Sequence, residues 1–240
     1  MRVAVVSDVH GNLVALEAVV RDLREQAPDL VLHGGDLAVT GPRPGEVVDR
    51  MRELGWDGVV GNTEEMLWRP DLEPALIAAA PGLAGWLQVL FRELGPWAAE
   101  RLGEERILWL RGLPEQRAAG ELTLVHASPG DLWQAPLPTA TAAELERTYR
   151  TLGGALAVYG HIHRPFVRAV RSQTVANAGS AGLPWDGDPR ASYLLLEGGT
   201  AMVRRVEYDL DAARRDVRDS GFPRASWLAA VQASGRFRRP

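Results

Sequence analysis

The sequence predicts a layered α/β fold, with parallel strands in its first part and more antiparallel strands in its second. Three observations predict it. Apolar strand runs alternate with amphipathic helices over residues 2–60, and short strand candidates crowd the chain from Gln116 onward. The composition, 46% apolar and 24% charged, is ordinary for a globular protein. At 240 residues the chain can bury a sizeable core and suits one domain, residues 1–240, with an elaboration.

Arg2 to Ser7 reads as a short apolar strand running into polar residues. Leu13, Leu16, Val20 and Leu23 recur at helical spacing, with Glu17, Arg21 and Asp22 elsewhere on the wheel. Pro28 ends that helix, Asp29 to His33 forms a second strand, and Val47, Val48, Met51 and Leu54 mark a second helix. Trp56 to Val60 completes a strand–helix–strand–helix–strand run, which implies parallel strands joined by right-handed crossovers. Residues 64–111, rich in Ala, Leu, Trp and Pro, predict a helical insertion beside the sheet that could cap the site. Strands are then expected at Leu122–Val125, Ala155–Tyr159, Phe166–Val170, Thr174–Ala176, Tyr193–Leu196 and Ala201–Val206. Glu144 to Leu152 predicts a helix among them, and residues 211–240 a C-terminal helical tail.

Composition excludes several chemistries. There is no cysteine, hence no disulfide, thiolate ligand or cysteine nucleophile. All 27 basic residues are Arg, so neither a Schiff-base lysine nor a P-loop lysine is available. The formal charge of −4 gives no strong nucleic-acid-binding signal and argues against an anionic-membrane binder. The N-terminal apolar run is too short for a secretory signal and no 18-residue apolar stretch exists, so a cytoplasmic location and no membrane partner are expected.

Scarce polar residues fall where strands end. Ser7-Asp8-Val9-His10-Gly11-Asn12 follows the first strand, Gly34-Gly35-Asp36 the second and Gly61-Asn62-Thr63-Glu64 the third. His126 follows Leu122–Val125, and Gly160-His161-Ile162-His163 follows Ala155–Tyr159. Open α/β sheets bind ligands beyond the carboxyl ends of their strands, and Asp, Asn and His suit a divalent cation. On an extended segment Asp8 and His10, two apart, point the same way. Singly, each residue has a bland reading as a cap or a structural histidine. Five ordered fragments at five strand ends make coincidence a poor explanation.

The set Asp8-x-His10, Gly35-Asp36, Gly61-Asn62, His126 and Gly160-His161-x-His163 resembles the calcineurin-like metallophosphoesterases over residues 1–206. Gly41-Pro42-Arg43-Pro44, Asn177-Ala178-Gly179-Ser180 and Asp186-Gly187-Asp188-Pro189-Arg190 look like the YfcE-type bacterial and archaeal phosphodiesterase branch. The resemblance implies a four-layer αββα sandwich with two mixed sheets and a dinuclear metal centre. Carried over residue by residue, Asp8, His10 and His163 would hold one metal and Asn62, His126 and His161 the other, with Asp36 bridging. A metal-bridging hydroxide would then attack phosphorus, and no side chain is assigned as the catalytic nucleophile. Mixed N and O ligands without sulfur favour Mn²⁺ or Fe²⁺, with Zn²⁺, Co²⁺ or Ni²⁺ compatible.

One position departs from the family pattern. Thr63 stands where many members have a His that protonates the leaving oxygen, and a hydroxyl is a poor general acid at neutral pH. Good leaving groups are therefore expected, such as aryl diesters or phosphoanhydrides, with simple alkyl monoesters poor substrates. The expected function is hydrolysis of phosphodiester or related phosphate bonds in a small, nucleotide-like substrate, as a phosphodiesterase or phosphatase. A dinucleoside polyphosphate hydrolase is the alternative, and a non-catalytic scaffold, as the fold serves in the retromer coat, is disfavoured because all seven ligand positions are filled. Thr63, Arg164 and His33 are candidate substrate contacts, His33 being read first as a packing or supporting residue. Asn12 is read as a helix cap, Arg43 as a surface residue able to reach phosphate, and a homo-oligomer is compatible with the sequence.

Overall fold

The computed structural model describes residues 1–239. Strand β1 (Val3–Val6) is buried on both faces, Val3 and Val5 turning one way and Ala4 and Val6 the other. An unbroken apolar run of this kind belongs to a strand covered on both sides. Helix α1 (Leu13–Gln26) begins where Asn12 accepts the Ala15 N–H at 3.1 Å, and ends where Ala27 turns left-handed ahead of Pro28. Strand β2 (Leu30–His33) pairs parallel to β1. Helix α2 (Pro44–Leu54) has Pro in its first turn and a left-handed Gly55 at its end.

Strand β3 is shorter than the expected Trp56–Val60 and keeps only Asp57–Gly58. The Val59 N–H still reaches the His33 carbonyl at 3.1 Å, but the Val60 N–H turns to Pro114 at 2.9 Å, outside the sheet. Four helices follow: α3 (Asn62–Glu65), α4 (Glu73–Ala79), α5 (Ala84–Val89) and α6 (Gly95–Arg111), which kinks at Gly103. A π-helical turn, Leu90–Leu94, joins the last two.

The remainder runs β4 (Gln116–Ala119), β5 (Leu122–Val125), α7 (Ala142–Tyr149), β6 (Leu156–Tyr159), β7 (Phe166–Ala169) and β8 (Thr174–Asn177). It closes with β9 (Ala191–Glu197), β10 (Thr200–Val206), α8 (Leu210–Asp219) and α9 (Ala225–Ser234). Strand β4 is outside the expected set; it is a half-exposed edge with no apolar run to announce it. The expected tail is helical in α8 and α9, and its last residue, Pro240, lies outside the described residues.

One sheet runs β10-β9-β1-β2-β3 and the other β4-β5-β6-β8-β7. Each joins three parallel strands, β1-β2-β3 or β5-β6-β8, to two antiparallel ones. Between the sheets, Val3, Val5 and Leu32 meet Leu122, Leu124 and Val158. Helices α1, α2 and α6 cover the outer face of the first sheet, and Leu145 and Tyr149 of α7 cover that of the second. The order is helix, sheet, sheet, helix. A separate core joins Leu87, Leu90 and Leu94 to Val217, Leu228 and Val231, binding residues 62–111 to the C-terminal helices. No helix among the described residues is long and apolar enough to cross a membrane.

Candidate metal centre

The seven strand-end residues singled out as metal ligands converge at one edge of the sandwich. Ligand atoms of Asp8, His10, Asp36 and His163 all lie within 4.8 Å of one another. His163 Nε2 stands 3.2 Å from Asp8 Oδ1 and 3.0 Å from His10 Nε2. Beside them, Asn62 Oδ1 is 2.9 Å from both His126 Nε2 and His161 Nδ1. Asp36 lies between the two groups. Its Oδ2 is 3.6 Å from His10 Nε2, and its Oδ1 is 3.5 Å from His126 Nε2.

The backbone at these positions is unusual. Asp8, His10, Asp36, His161 and His163 all have positive φ, among only seven such non-glycine residues described. The extended geometry expected for Asp8 and His10 is therefore wrong: φ is 56° and 48°. A left-handed residue costs on the order of 1–3 kcal/mol and persists only where its surroundings over-determine it. Here they do. The Asp8 N–H donates to Gly35 at 3.0 Å, the His10 N–H to Asp36 at 3.0 Å, and the Gly11 N–H to Leu37 at 2.8 Å. Gly160 allows the close approach of the two sheets, since a Cβ there would lie 2.4 Å from Asp8 Oδ2 and 2.1 Å from Ser7 Oγ.

Hydrogen bonds on the far side of each ring fix what the rings present inward. Nδ1 of His10, His126 and His163 faces a carbonyl oxygen, of Val39 (2.7 Å), Gly34 (2.7 Å) and Leu183 (2.5 Å) respectively. A carbonyl only accepts, so each Nδ1 carries a proton, and the Nε2 atoms of His10 and His163 turn lone pairs inward, whereas that of His126 faces the Asn62 amide oxygen. Two such lone pairs, on His10 and His163, face each other at 3.0 Å. This is a donor set for a cation: imidazole nitrogens, carboxylate oxygens and one amide oxygen, without lysine or arginine to compete.

The electrostatics favour a cation at Asp8, His10 and His161, and run the other way at His126. Burial, then the neighbouring His163, pushes His10 down to about 4; burial, then His126, does the same to His161. Burial opposes charge on Asp8, yet the facing imidazoles, His163 foremost, hold its carboxyl well below the usual range. Burial also opposes charge on His126, but Asp36 and Asp8 outweigh it and raise its proton affinity. An ionised Asp8 beside neutral His10 and His161 is the protonation state that metal binding requires.

Glu64 is the functional residue that sequence reasoning missed. It is wholly buried, and its carboxylate accepts N–H bonds from Asp36 (2.8 Å), Leu37 (2.8 Å), Ala38 (3.3 Å) and Gly61 (3.1 Å). It clamps the loop that carries Asp36 onto the turn that carries Asn62. Burial, then Asp36, raises its carboxyl to about 7. The signal available in sequence was an acid two residues beyond Asn62 at the start of a helix. Asn177 and Ser180 also brace the site: Asn177 donates to the Gly160 carbonyl (2.6 Å) and Ser180 to that of Asp8 (2.6 Å). Asn12 caps α1 as expected.

A cavity of about 570 Å³ opens over the cluster, bounded on its far side by α4, α5, Trp133, Trp185 and Phe237. Residues of the 64–111 segment thus form one wall. Thr63 and Arg164 line the cavity, and the Thr63 hydroxyl is buried without a partner. His33 does not line it. It is wholly buried beside Trp109 with neither ring nitrogen bonded, so the substrate-contact reading gives way to packing. Arg43 is bound to Asp216 and Glu46, away from the cavity.

Comparison with known proteins places these findings. A profile described as calcineurin-like phosphoesterase superfamily domain matches residues 1–200. An uncharacterized protein of Methanocaldococcus jannaschii is 27% identical over 258 residues, covering 98% of each chain. The crystal structure of a metallophosphoesterase from Sphaerobacter thermophilus superposes with a TM-score of 0.79 at 28% identity, covering 98% of this chain and 100% of that one. A hypothetical protein from Pyrococcus horikoshii gives the same TM-score at 19% identity, covering 98% of each chain, which shows a shared fold.

Proposed function

Because the chain belongs to the calcineurin-like phosphoesterase superfamily, we propose that it is a dinuclear metal-dependent phosphoesterase acting on phosphodiester or related phosphate bonds of a small substrate. Asp8, His10 and His163 would hold one divalent cation and Asn62, His126 and His161 the other, with Asp36 shared. The observation that carries this reading is the Asp36 carboxylate, which turns one oxygen towards His10 Nε2 and the other towards His126 Nε2. The fit is chemical as well as geometric, since facing lone pairs 3.0 Å apart repel unless a cation lies between them. Nitrogen and oxygen donors without sulfur suit Mn²⁺ or Fe²⁺, and also accept Zn²⁺, Co²⁺ or Ni²⁺. When bound, such cations polarise phosphoryl oxygens and bring the pKa of water towards about 7.

The chain's own residues set the rest. The Thr63 N–H donates to Asp36 Oδ1 at 2.9 Å and fixes that carboxylate's orientation. Hydrolysis joins water oxygen to phosphorus and breaks the ester P–O bond, whose electron pair leaves with the departing oxygen. No imidazole stands at Thr63 to protonate that oxygen, so esters with acidic alcohols or phenols should turn over fastest. A dinucleoside polyphosphate is the second reading, and the cavity favours it less: Arg164 is the one arginine lining it among the described residues.

The test is hydrolysis of bis-p-nitrophenyl phosphate by metal-stripped protein, before and after addition of Mn²⁺. Turnover that requires the metal supports the reading. Silence with Mn²⁺, Fe²⁺, Co²⁺, Ni²⁺ and Zn²⁺, despite measured metal binding, would refute it.

A further inference from the structure

The cavity over the cluster has two unlike ends. One end is the histidine, aspartate and asparagine set. The other is built from Trp86, Trp133, Trp185, Phe237, Leu83 and Leu87, with no carboxylate and no arginine but Arg164. The rings are braced from behind. Trp185 stacks on His163 at 3.8 Å between ring centres, Trp133 on Phe91 at 5.5 Å, and Trp86 packs on Trp227 at 5.2 Å. The apolar end is thus held in place before any ligand enters. A prebuilt cavity of about 570 Å³ is of the size that encloses a drug-sized organic molecule.

Its mouth is mixed, with exposed Gln134 and Arg164 beside exposed apolar residues. Leu83 and Leu137 are 42% and 51% exposed and both line the opening. Exposed large apolar residues gathered at one opening mark a binding site more often than a bare surface. Charge points the same way. A nucleoside polyphosphate brings several negative charges and a ribose diol, and beyond the cluster this cavity offers them Arg164, Gln134, the unpartnered Thr63 hydroxyl and the unpartnered Trp185 indole N–H. Buried polar groups without partners are costly, so such a ligand is poorly served.

We propose that the cavity receives an apolar organic arm of a phosphate ester whose phosphorus lies at the cluster, which makes hydrophobic phosphodiesters the substrate class. This rests on the phosphoesterase reading above and narrows it. Phosphate chemistry is set at the strand ends, and the choice of ester at α4, α5, Trp133, Trp185 and Phe237.

The experiment uses full-length protein loaded with Mn²⁺ and a series of p-nitrophenyl phosphodiesters. The leaving group is constant, and the second arm is methyl, 2-naphthyl, decyl or thymidine-5′-yl. The naphthyl or decyl ester should show kcat/KM at least about tenfold above the methyl ester, from apolar burial alone, and above the thymidine ester. Whichever of the two is favoured identifies an aromatic or an aliphatic arm. In Leu83→Glu and Leu137→Glu, changes at exposed positions that leave the core intact, the ratio of naphthyl or decyl to methyl should fall several-fold. Binding is read separately by calorimetry with 2-naphthylphosphonate, decylphosphonate and methylphosphonate. A flat series, a preference for the thymidine ester, or larger phosphonates binding no tighter than methyl would overturn the proposal. No turnover of any ester, with tight binding of a larger phosphonate, would instead sink the hydrolase reading and leave the apolar cavity standing.

Discussion

The two walls of the cavity are made by different means. The polar wall consists of loops at strand ends, buried, with five left-handed residues held by a lattice of backbone bonds and by Glu64. The apolar wall joins short, half-exposed helices to Trp133, Trp185 and Phe237 on irregular segments, with Leu83 open to solvent. Strain and buried polarity can be sustained only where many contacts over-determine them. Atoms that must be fixed to a fraction of an ångström thus stand at the ends of sheet strands, whereas the wall proposed to select the ester stands on short helices and loops.

The largest effect should come from breaking the polar wall at its centre. Asp36→Asn replaces the shared carboxylate while keeping its shape. It should lower Mn²⁺-dependent turnover more than about 100-fold, beyond the 10–100-fold typical of outer-shell partners, with circular dichroism unchanged. Glu64→Ala should act on the fold as well. It strands four buried N–H groups at about 1–3 kcal/mol each, and a total loss above about 3 kcal/mol would lower Tm by about 6–12 °C in a chain of this size. An unchanged Tm would show that the clamp is ornamental.

Smaller effects are expected beside and behind the polar wall. Thr63→His places an imidazole beside Asp36 and should raise turnover of alkyl esters about tenfold or more relative to aryl diesters. Equal gains on both would show that leaving-group protonation is not what Thr63 lacks. The smallest effect concerns His33, outside both walls. Burial pushes its ring down to about 4 from 6.5. The unfolded chain therefore takes up a proton at higher pH than the folded one, and stability present above about 6.5 is lost as pH falls towards 4. His33→Leu should flatten that acid arm by about 2 kcal/mol between pH 7 and 5, measured by urea unfolding of the metal-free protein.

Much of the polar wall was legible in sequence because scarce residue types fell at strand ends, as His126 and Asn62 did. Their backbone conformation was not: Asp8 and His10 look like an extended pair, and only the opposing loop of Gly35 to Leu37 forces them left-handed. Glu64 was overlooked since three of its four partners, Asp36, Leu37 and Ala38, lie 26 to 28 positions away in sequence. The shortening of β3 depends on Pro114, more than fifty positions away. The apolar wall was least legible. Trp86 reads as one more core tryptophan, and that it meets Phe237 over the site follows from the docking of the C-terminal helices on residues 62–111.

The most direct measurement is anomalous diffraction from crystals of metal-stripped protein reloaded with Mn²⁺. Two peaks should flank the Asp36 carboxylate, one among Asp8, His10 and His163 and the other among Asn62, His126 and His161. A single peak, or metal bound away from Asp36, would contradict it.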